Sequence, residues 1–360
     1  MGSHTDYNLG YVLTQAIDRD TWIAARPRRD GRVVIESLNL EGRGDFRLDE
    51  IQYDAEVPWT NYVRGVASVF QEQGSPLYGF DGLVHSTIPF GSGLSSSAAL
   101  EVATAVIFQQ LGALTMDPVQ MALLCQRAEN EFVGMKCGIL DQYSSILGQA
   151  GSMLLLDCRD LSTQIWPLPA GFQAVICDTR APRALAGSEY AERRAQCETG
   201  VQILAGLYPE VQALRDVRLD QLHRHAADLP DVVYRRCRFI VEENQRVLDM
   251  ADALARGDRK EIRALTIQSY TGARDLYEIS CQEMAWMVEA MTSGPGVIGA
   301  RQAGAGFGGC MVALVEESQV GHFARHVEAH YHAASGIEPQ VYPVRAAAGA
   351  GRLGQSSTRP

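Results

Sequence analysis

The stretch Pro89-Phe-Gly-Ser-Gly-Leu-Ser-Ser-Ser-Ala-Ala99 decides the reading of this chain. It follows the strand-like run Phe80-Asp-Gly-Leu-Val-His-Ser86 and opens into Ala98 to Gly112, which is rich in Ala, Val, Ile and Leu as a buried helix would be. Gly91 and Gly93 allow positive φ and close backbone approach to a ligand. Ser95, Ser96 and Ser97 set hydroxyls and amides at the helix start, where unpaired N–H groups and the positive pole of the dipole favour an anion. Strand, glycine loop and helix N-terminus together predict a phosphate cradle. It is not a Walker loop, because the Gly-Lys-Ser/Thr ending is absent. A plain Gly/Ser turn is the competing reading, but turns rarely lead into so small-sided a helix.

The surrounding chain is that of an ordinary globular protein. Its 360 residues suit one large domain or two of ordinary size. Hydrophobic residues make up 46% and charged residues 21%. No apolar run reaches the roughly 18–20 residues of a membrane span, and no basic-then-apolar leader opens the chain, so a cytoplasmic protein is expected. The net charge of −11 and the lack of a Lys/Arg block speak against nucleic acid as partner. The eight cysteines are scattered without a Cys-x-x-Cys pair, which predicts buried reduced thiols.

Periodicity predicts short strands through the first 60 residues. Thr21-Trp-Ile-Ala-Ala and Arg32-Val-Val-Ile-Glu read as a hairpin joined by Pro27 to Gly31. Helices are expected at Trp59 to Gln73 and at Asp117 to Phe132, the latter with Asp117 as cap and Pro118 in its first turn. Ser152 to Asp157 and Phe172 to Asp178 read as central strands. Helical patterns fill Glu189–Ala205, Val232–Gly257 and Lys260–Thr292. Strands return at Gly296 to Arg301, Cys310 to Val315 and Pro339 to Val344, with a helix at Gln319 to Ala334. The tail from Ala346 is expected to fray, and Asp178 to Gly187 is the candidate domain boundary.

Three further segments carry chemistry. In Ala128-Glu-Asn-Glu-Phe-Val-Gly-Met-Lys-Cys-Gly-Ile-Leu-Asp-Gln142, Glu129 and Asp141 flank a Gly-punctuated turn. Two carboxylates near a phosphate cradle suit phosphoryl transfer, one holding Mg²⁺ and the other beside the attacking hydroxyl. Each alone is more often a solvated surface acid or a helix cap, and only the neighbouring motifs raise it. Gly304, Gly306, Gly308 and Gly309 precede a buried strand, as backbone packed on a ligand does; a tight turn is the alternative. His4-Thr-Asp-Tyr-Asn8 can hydrogen-bond several hydroxyls of a polyol, or is a polar turn.

In this order the segments resemble the GHMP kinases, and among them the galactokinase family, over nearly the whole chain. His4 to Asn8 resembles the signature Gly-Glu-His-Thr-Asp-Tyr-Asn, and Pro89 to Ala99 the phosphate loop Pro-x-x-x-Gly-Leu-Ser-Ser-Ser-Ala. Cys137-Gly-Ile-Leu-Asp-Gln142 resembles the active-site aspartate segment, Ala186-Gly-Ser-Glu-Tyr-x-x-Arg-Arg194 the sugar-contacting tyrosine segment, and Gly304 to Gly309 the third GHMP motif. The resemblance implies an α+β, two-domain GHMP kinase fold. Residues 1–180 would form a ribosomal-protein-S5-domain-2-like ATP-binding domain, and 181–360 a ferredoxin-like domain. It implies that Gly91, Ser92, Gly93, Leu94, Ser95, Ser96 and Ser97, with Gly304 and Gly306, bind ATP, and that Ser97 and Glu129 hold Mg²⁺. Asp141 would contact the anomeric hydroxyl as base or orienter, and His4, Asp6, Gly138 and Tyr190 would bind the sugar. The implied reaction is ATP plus D-galactose giving ADP plus α-D-galactose 1-phosphate, by a monomer or weak dimer.

Two departures set further expectations. The family places an arginine several residues before its His-Thr-Asp-Tyr-Asn, upstream of Met1 here. The chain therefore reads as N-terminally truncated, with reduced activity expected of this form. Ser3 stands where galactokinases usually have glutamate near the sugar's C6 hydroxyl, so galacturonate or L-arabinose are alternative acceptors. N-acetylgalactosamine is a further alternative that keeps the fold and changes the acceptor. A catalytically silent sugar and ATP sensor is the reading from another class; the intact Ser97, Glu129 and Asp141 argue against it.

Overall fold

The computed structural model describes residues 1–181 and 186–353. Among these the strands, in chain order, are β1 (Tyr11–Thr14), β2 (Thr21–Arg28), β3 (Arg32–Ser37), β4 (Arg43–Arg47), β5 (Gly79–Ser86), β6 (Ser152–Asp157), β7 (Thr163–Pro167), β8 (Phe172–Asp178), β9 (Val297–Gln302), β10 (Cys310–Glu316) and β11 (Gln340–Val344). The helices are α1 (Thr60–Glu72), α2 (Ser96–Leu111), α3 (Pro118–Arg127), α4 (Leu140–Leu147), α5 (Ala186–Leu207), α6 (Leu219–Arg224), α7 (Asp231–Arg256), α8 (Arg259–Asp275), α9 (Gln282–Thr292) and α10 (Val320–Ser335). None is long and apolar enough to cross a membrane. All eight cysteines are free, six of them buried.

The described residues form two compact units, which are not the two halves expected from the sequence. One comprises residues 16–89, 95–150 and the chain from 347; the other comprises 1–15, 90–94 and 151–346. A cut at 180 would divide a sheet, because β8 pairs with both β10 and β11. The proposed boundary falls partly on residues 182–185, outside the described residues, as does the tail from 354.

The first unit is built on a four-stranded sheet ordered β2-β5-β3-β4. The expected β2/β3 hairpin does not form. Apolar β5 lies between them, antiparallel to β2 and parallel to β3. The two strands are then about 10 Å apart, two strand spacings, which the short link at residues 29–31 spans. Pro27 is tolerated because β2 is an edge strand. One sheet face, with Val33, Ile35, Phe46, Phe80 and Val84, packs on Val63, Val66 and Phe70 of α1 and Val102 and Phe108 of α2. The other carries ion pairs such as Arg26–Asp81 and Arg32–Asp45.

The second unit holds two antiparallel sheets, β1-β6-β7 and β11-β8-β10-β9. Helices α9 and α10 cover the latter through Met287, Met291, Phe323 and Val327, packed on Val175, Met311 and Ala313. Val247 and Met250 of α7 and Ile262 and Leu265 of α8 join Leu13, Leu155 and Ile298 in a separate core. The expected helix from Lys260 to Thr292 is two helices. After Asp275 the chain breaks, with Glu278 at φ 56°. Tyr277 N–H bonds back to Gly272 and Ile279 N–H to Ala273, closing the last turn. No glycine or proline marks the break; long-range partners hold it. Arg236 donates to the Leu276 carbonyl at 2.5 Å and to Glu278 at 2.6 Å, and Arg193 donates to the Tyr277 and Glu278 carbonyls.

Candidate active site

In the first unit, three elements bring a set of oxygen ligands together. Ser95 precedes α2 in the left-handed region, φ 60°, so Ser96 and Ser97 open the helix with their amides unspent by a side-chain cap. Glu129 lies on a π-helical turn, Ala128–Val133, that continues α3. Such turns insert an extra residue and redirect a side chain. Asp117 caps α3 as expected, accepting from Val119 and Gln120 N–H. Asp141 sits exposed in the first turn of α4, and Gly138 is half-buried just before that helix.

Gln142, fully buried beside Asp141, ties the cluster together. Its Nε2 donates to Glu129 Oε2 at 2.7 Å and to Glu101 Oε2 at 3.0 Å. Cys137 Sγ–H donates to the same Glu129 oxygen at 3.3 Å, and the Ser97 hydroxyl also bonds Glu129. Burial raises the Glu129 carboxyl above its ordinary range, and the Asp141 charge adds to this; the bonds from Cys137, Ser97 and Gln142 work the other way. Glu101 is pushed up well above the usual range, by burial first and then by the Glu129 charge. Ser97 and Glu129 are therefore adjacent, and an all-oxygen pair of this kind fits Mg²⁺. Sequence reasoning missed Glu101 and Gln142. The signal for Glu101 was present: it is the single charged residue of apolar α2.

In the second unit, two loops lie side by side. Cys310 N–H donates to the Ser92 carbonyl at 2.9 Å, so the early part of the phosphate loop runs against the glycine-rich loop. In the latter, Gly304, Gly306, Phe307, Gly308 and Gly309 all have positive φ, which no ordinary turn requires. A Cβ on Gly306 would lie 2.4 Å from the Ile279 carbonyl oxygen. Phe307 N–H bonds that carbonyl at 2.7 Å, and Gly308 N–H bonds the Met284 sulfur.

The N-terminal motif packs on the same loop. Ser3 Oγ–H donates to the Gly304 carbonyl at 3.0 Å and accepts from Arg301 at 3.1 Å. Arg301 also bonds Ser269 and Glu243, which is buried. Burial works against the Glu243 charge, but Arg301 and Arg246 win and hold it below the usual carboxylate range. His4 is buried in the left-handed region at φ 64°, and its Nε2 lies 2.9 Å from the Ala305 carbonyl. Tyr190 sets its ring 5.0 Å from that of His4, and half-buried Asp6 accepts from Tyr7 N–H. The predicted residues thus fall in two sets: Ser95, Ser96, Ser97, Glu129, Gly138 and Asp141 in one unit, and His4, Asp6, Gly91, Ser92, Gly93, Leu94, Tyr190, Gly304 and Gly306 in the other. Tyr7, Arg193, Glu243, Tyr277 and Arg301 had no assigned role in the sequence reading.

Comparison with known proteins gives one answer from three directions. The model of the GHMP kinases N terminal domain matches residues 61–149, that of the GHMP kinases C terminal matches 250–333, and the galactokinase galactose-binding signature matches 1–27. The chain is 43% identical over 360 residues to the galactokinase of Roseiflexus sp. (strain RS-1), covering 100% of this chain and 92% of that one. It is 45% identical over 351 residues to that of Chloroflexus aggregans, covering 98% and 90%. Lactococcus lactis galactokinase, solved in complex with galactose, superposes with a TM-score of 0.93 at 32% identity, covering 97% of this chain and 91% of that one. Methanococcus jannaschii mevalonate kinase, at 16% identity and TM-score 0.66, shares the fold.

Proposed function

The chain belongs to the galactokinase family of GHMP kinases and is an ATP-dependent sugar kinase, and from that premise we propose how its residues carry the reaction. The reaction moves the γ-phosphoryl group of ATP to the anomeric hydroxyl of D-galactose. The contact between Ser97 and Glu129 at the N-terminus of α2, beside the Asp141 charge, is the observation that carries the reading. Backbone amides of residues 91–97 and the α2 dipole neutralise phosphate charge. Gly304 and Gly306 give the nucleotide close access to backbone.

Ser97 and Glu129 would hold Mg²⁺, which when bound offsets charge on the transferring phosphoryl group. Asp141 orients the anomeric hydroxyl and accepts its proton. That hydroxyl is more acidic than an ordinary alcohol, so a well-placed carboxylate suffices. Positioning and electrostatics do the remaining work. Asp6 and Tyr190 bind the sugar hydroxyls, with His4 against Tyr190, and Gly138 is a further sugar-binding residue. The Ser3 hydroxyl is engaged by Gly304 and Arg301, which leaves its lack of charge as the feature that bears on C6. We place the enzyme in the cytoplasm as a monomer or weak dimer.

The test is ADP release over a panel of D-galactose, D-galacturonate, L-arabinose and N-acetylgalactosamine. D-Galactose is expected to give the highest kcat/KM. A higher value for another sugar would reassign the acceptor, and ATP and sugar binding without ADP release would support the sensor reading. Asp141→Ala is expected to lower kcat by on the order of 10³-fold or more with ATP binding retained. Turnover near wild type would remove Asp141 from this role.

A further inference from the structure

We propose that His4 is a positioning residue, its ring fixed as the Nε2–H tautomer by a one-way hydrogen-bond relay that runs from Cys197 through Tyr277 and Tyr7 and ends on the glycine-rich loop. The inference rests on the sugar site proposed above and assigns its buried support.

The direction of every bond follows from one end. The Ala305 carbonyl only accepts, so His4 Nε2, 2.9 Å away, carries a hydrogen and donates it. The ring is neutral. It is buried, and its charged neighbour is the Arg193 guanidinium, with Tyr7, Tyr190 and Tyr277 rings around it. Burial first, and Arg193 in support, bring its pKa down to about 4, while the bond to Ala305 opposes them. A neutral ring protonated at Nε2 has a bare Nδ1, which accepts from Tyr7 O–H at 2.9 Å. Tyr7 has then spent its single hydrogen, so at the 2.7 Å contact Tyr277 O–H donates to Tyr7. Tyr277 is spent in turn, so Cys197 S–H donates to Tyr277 oxygen at 3.2 Å.

The relay crosses four segments that are far apart in the chain: α5, the break after α8, the N-terminal motif and the loop before β10. Each is braced again nearby. Arg193, one turn beyond Tyr190, holds the Tyr277 and Glu278 carbonyls, and Asn8 donates to the His4 carbonyl at 2.8 Å. With both ring nitrogens engaged inside the protein, His4 serves the sugar by fixing the backbone and neighbours of the motif. Its left-handed φ of 64° is the strained conformation that such bracing sustains.

Histidine-¹⁵N-labelled protein, with His4 assigned against His4→Gln, tests this between pH 7.5 and 5. Wild type is expected to show a neutral His4 ring protonated at Nε2 throughout. Tyr7→Phe removes the donor to Nδ1. It is expected to shift the Nδ1 resonance and to weaken galactose binding about 3- to 10-fold by calorimetry, the worth of one hydrogen bond, with an ATP analogue changed less than about 2-fold. Tyr277→Phe is the second variant should Tyr7→Phe misfold, with a smaller shift in the same direction. An Nδ1–H tautomer, or a ring titrating at an ordinary histidine pKa, overturns the proposal. So does either the wild-type Nδ1 shift or the wild-type galactose affinity in the variant. Failure of wild type to bind galactose would instead sink the functional reading, and the ¹⁵N spectra would still decide the relay.

Discussion

Gln142 shows how much one neutral side chain carries in the candidate site. Its amide group serves two buried carboxyls at once, Glu101 and Glu129. Gln142→Leu keeps the bulk and removes both bonds. It is expected to destabilise the protein by about 1–3 kcal/mol, read from urea unfolding, because buried acceptors lose their donor. An unchanged midpoint would show that the two carboxyls do not depend on it. His4 gives a prediction of pH dependence. An unfolded histidine takes its proton near pH 6.5, whereas the buried ring holds off to about 4. Between these values the unfolded chain binds more protons, so stability rises with pH. His4's contribution is complete above pH 6.5 and drains away as pH falls towards 4, by up to about 3 kcal/mol. His4→Gln should therefore show a flatter stability profile from pH 7 to 4.5 than wild type; parallel profiles would contradict it. The nearness of Glu129 and Asp141 to the serines at the start of α2 was legible from the order of the motifs, and Ser97 does bond Glu129 with the Asp141 charge close by. Tyr277 was not legible, because its partner Tyr7 lies 270 residues away and neither residue type announces a role.

Elements were legible where their own residues decide them. Asp117-Pro118 predicted the α3 start, and the aspartate accepts two N–H groups there. Asp117→Ala is expected to cost about 1 kcal/mol in stability. Elements were misread where distant partners decide. The β2/β3 hairpin failed because β5, some 45 residues on, supplies a better partner to both strands. The break after α8 was hidden because arginines of α5 and α7, rather than a glycine, hold it. The sequence offered backbone packed on a ligand or a tight turn for the glycine-rich loop; what lies against Gly306 in the structure is the Ile279 backbone carbonyl. Gly306→Ala meets both a positive φ and that carbonyl. It is expected to weaken ATP-analogue binding on the order of 10-fold or more, measured by calorimetry. Wild-type affinity would show that the loop is remote from the nucleotide.

The whole molecule is organised against chain order. Residues 1–15 belong with 151–346, and residues 90–94 of the glycine/serine loop belong with them too, although the chain on either side of that loop belongs to the other unit. The Gly/Pro/Arg stretch at 178–187 read as the place for a single cut near 180; sheet pairing between β8 and the late strands overrules it. The family and its reaction were legible because short motifs retain their order whatever the sheets do. At this scale the account predicts linkage. A non-hydrolysable ATP analogue and galactose, each at about 100 times its dissociation constant, should each raise unfolding free energy by about 2.7 kcal/mol. The most direct test of the central claim is the product itself, followed by ³¹P and ¹H NMR with wild-type protein, ATP, Mg²⁺ and D-galactose. The account predicts α-D-galactose 1-phosphate in one-to-one stoichiometry with ADP. ADP without sugar phosphate, or phosphate on a hydroxyl other than the anomeric one, would contradict it.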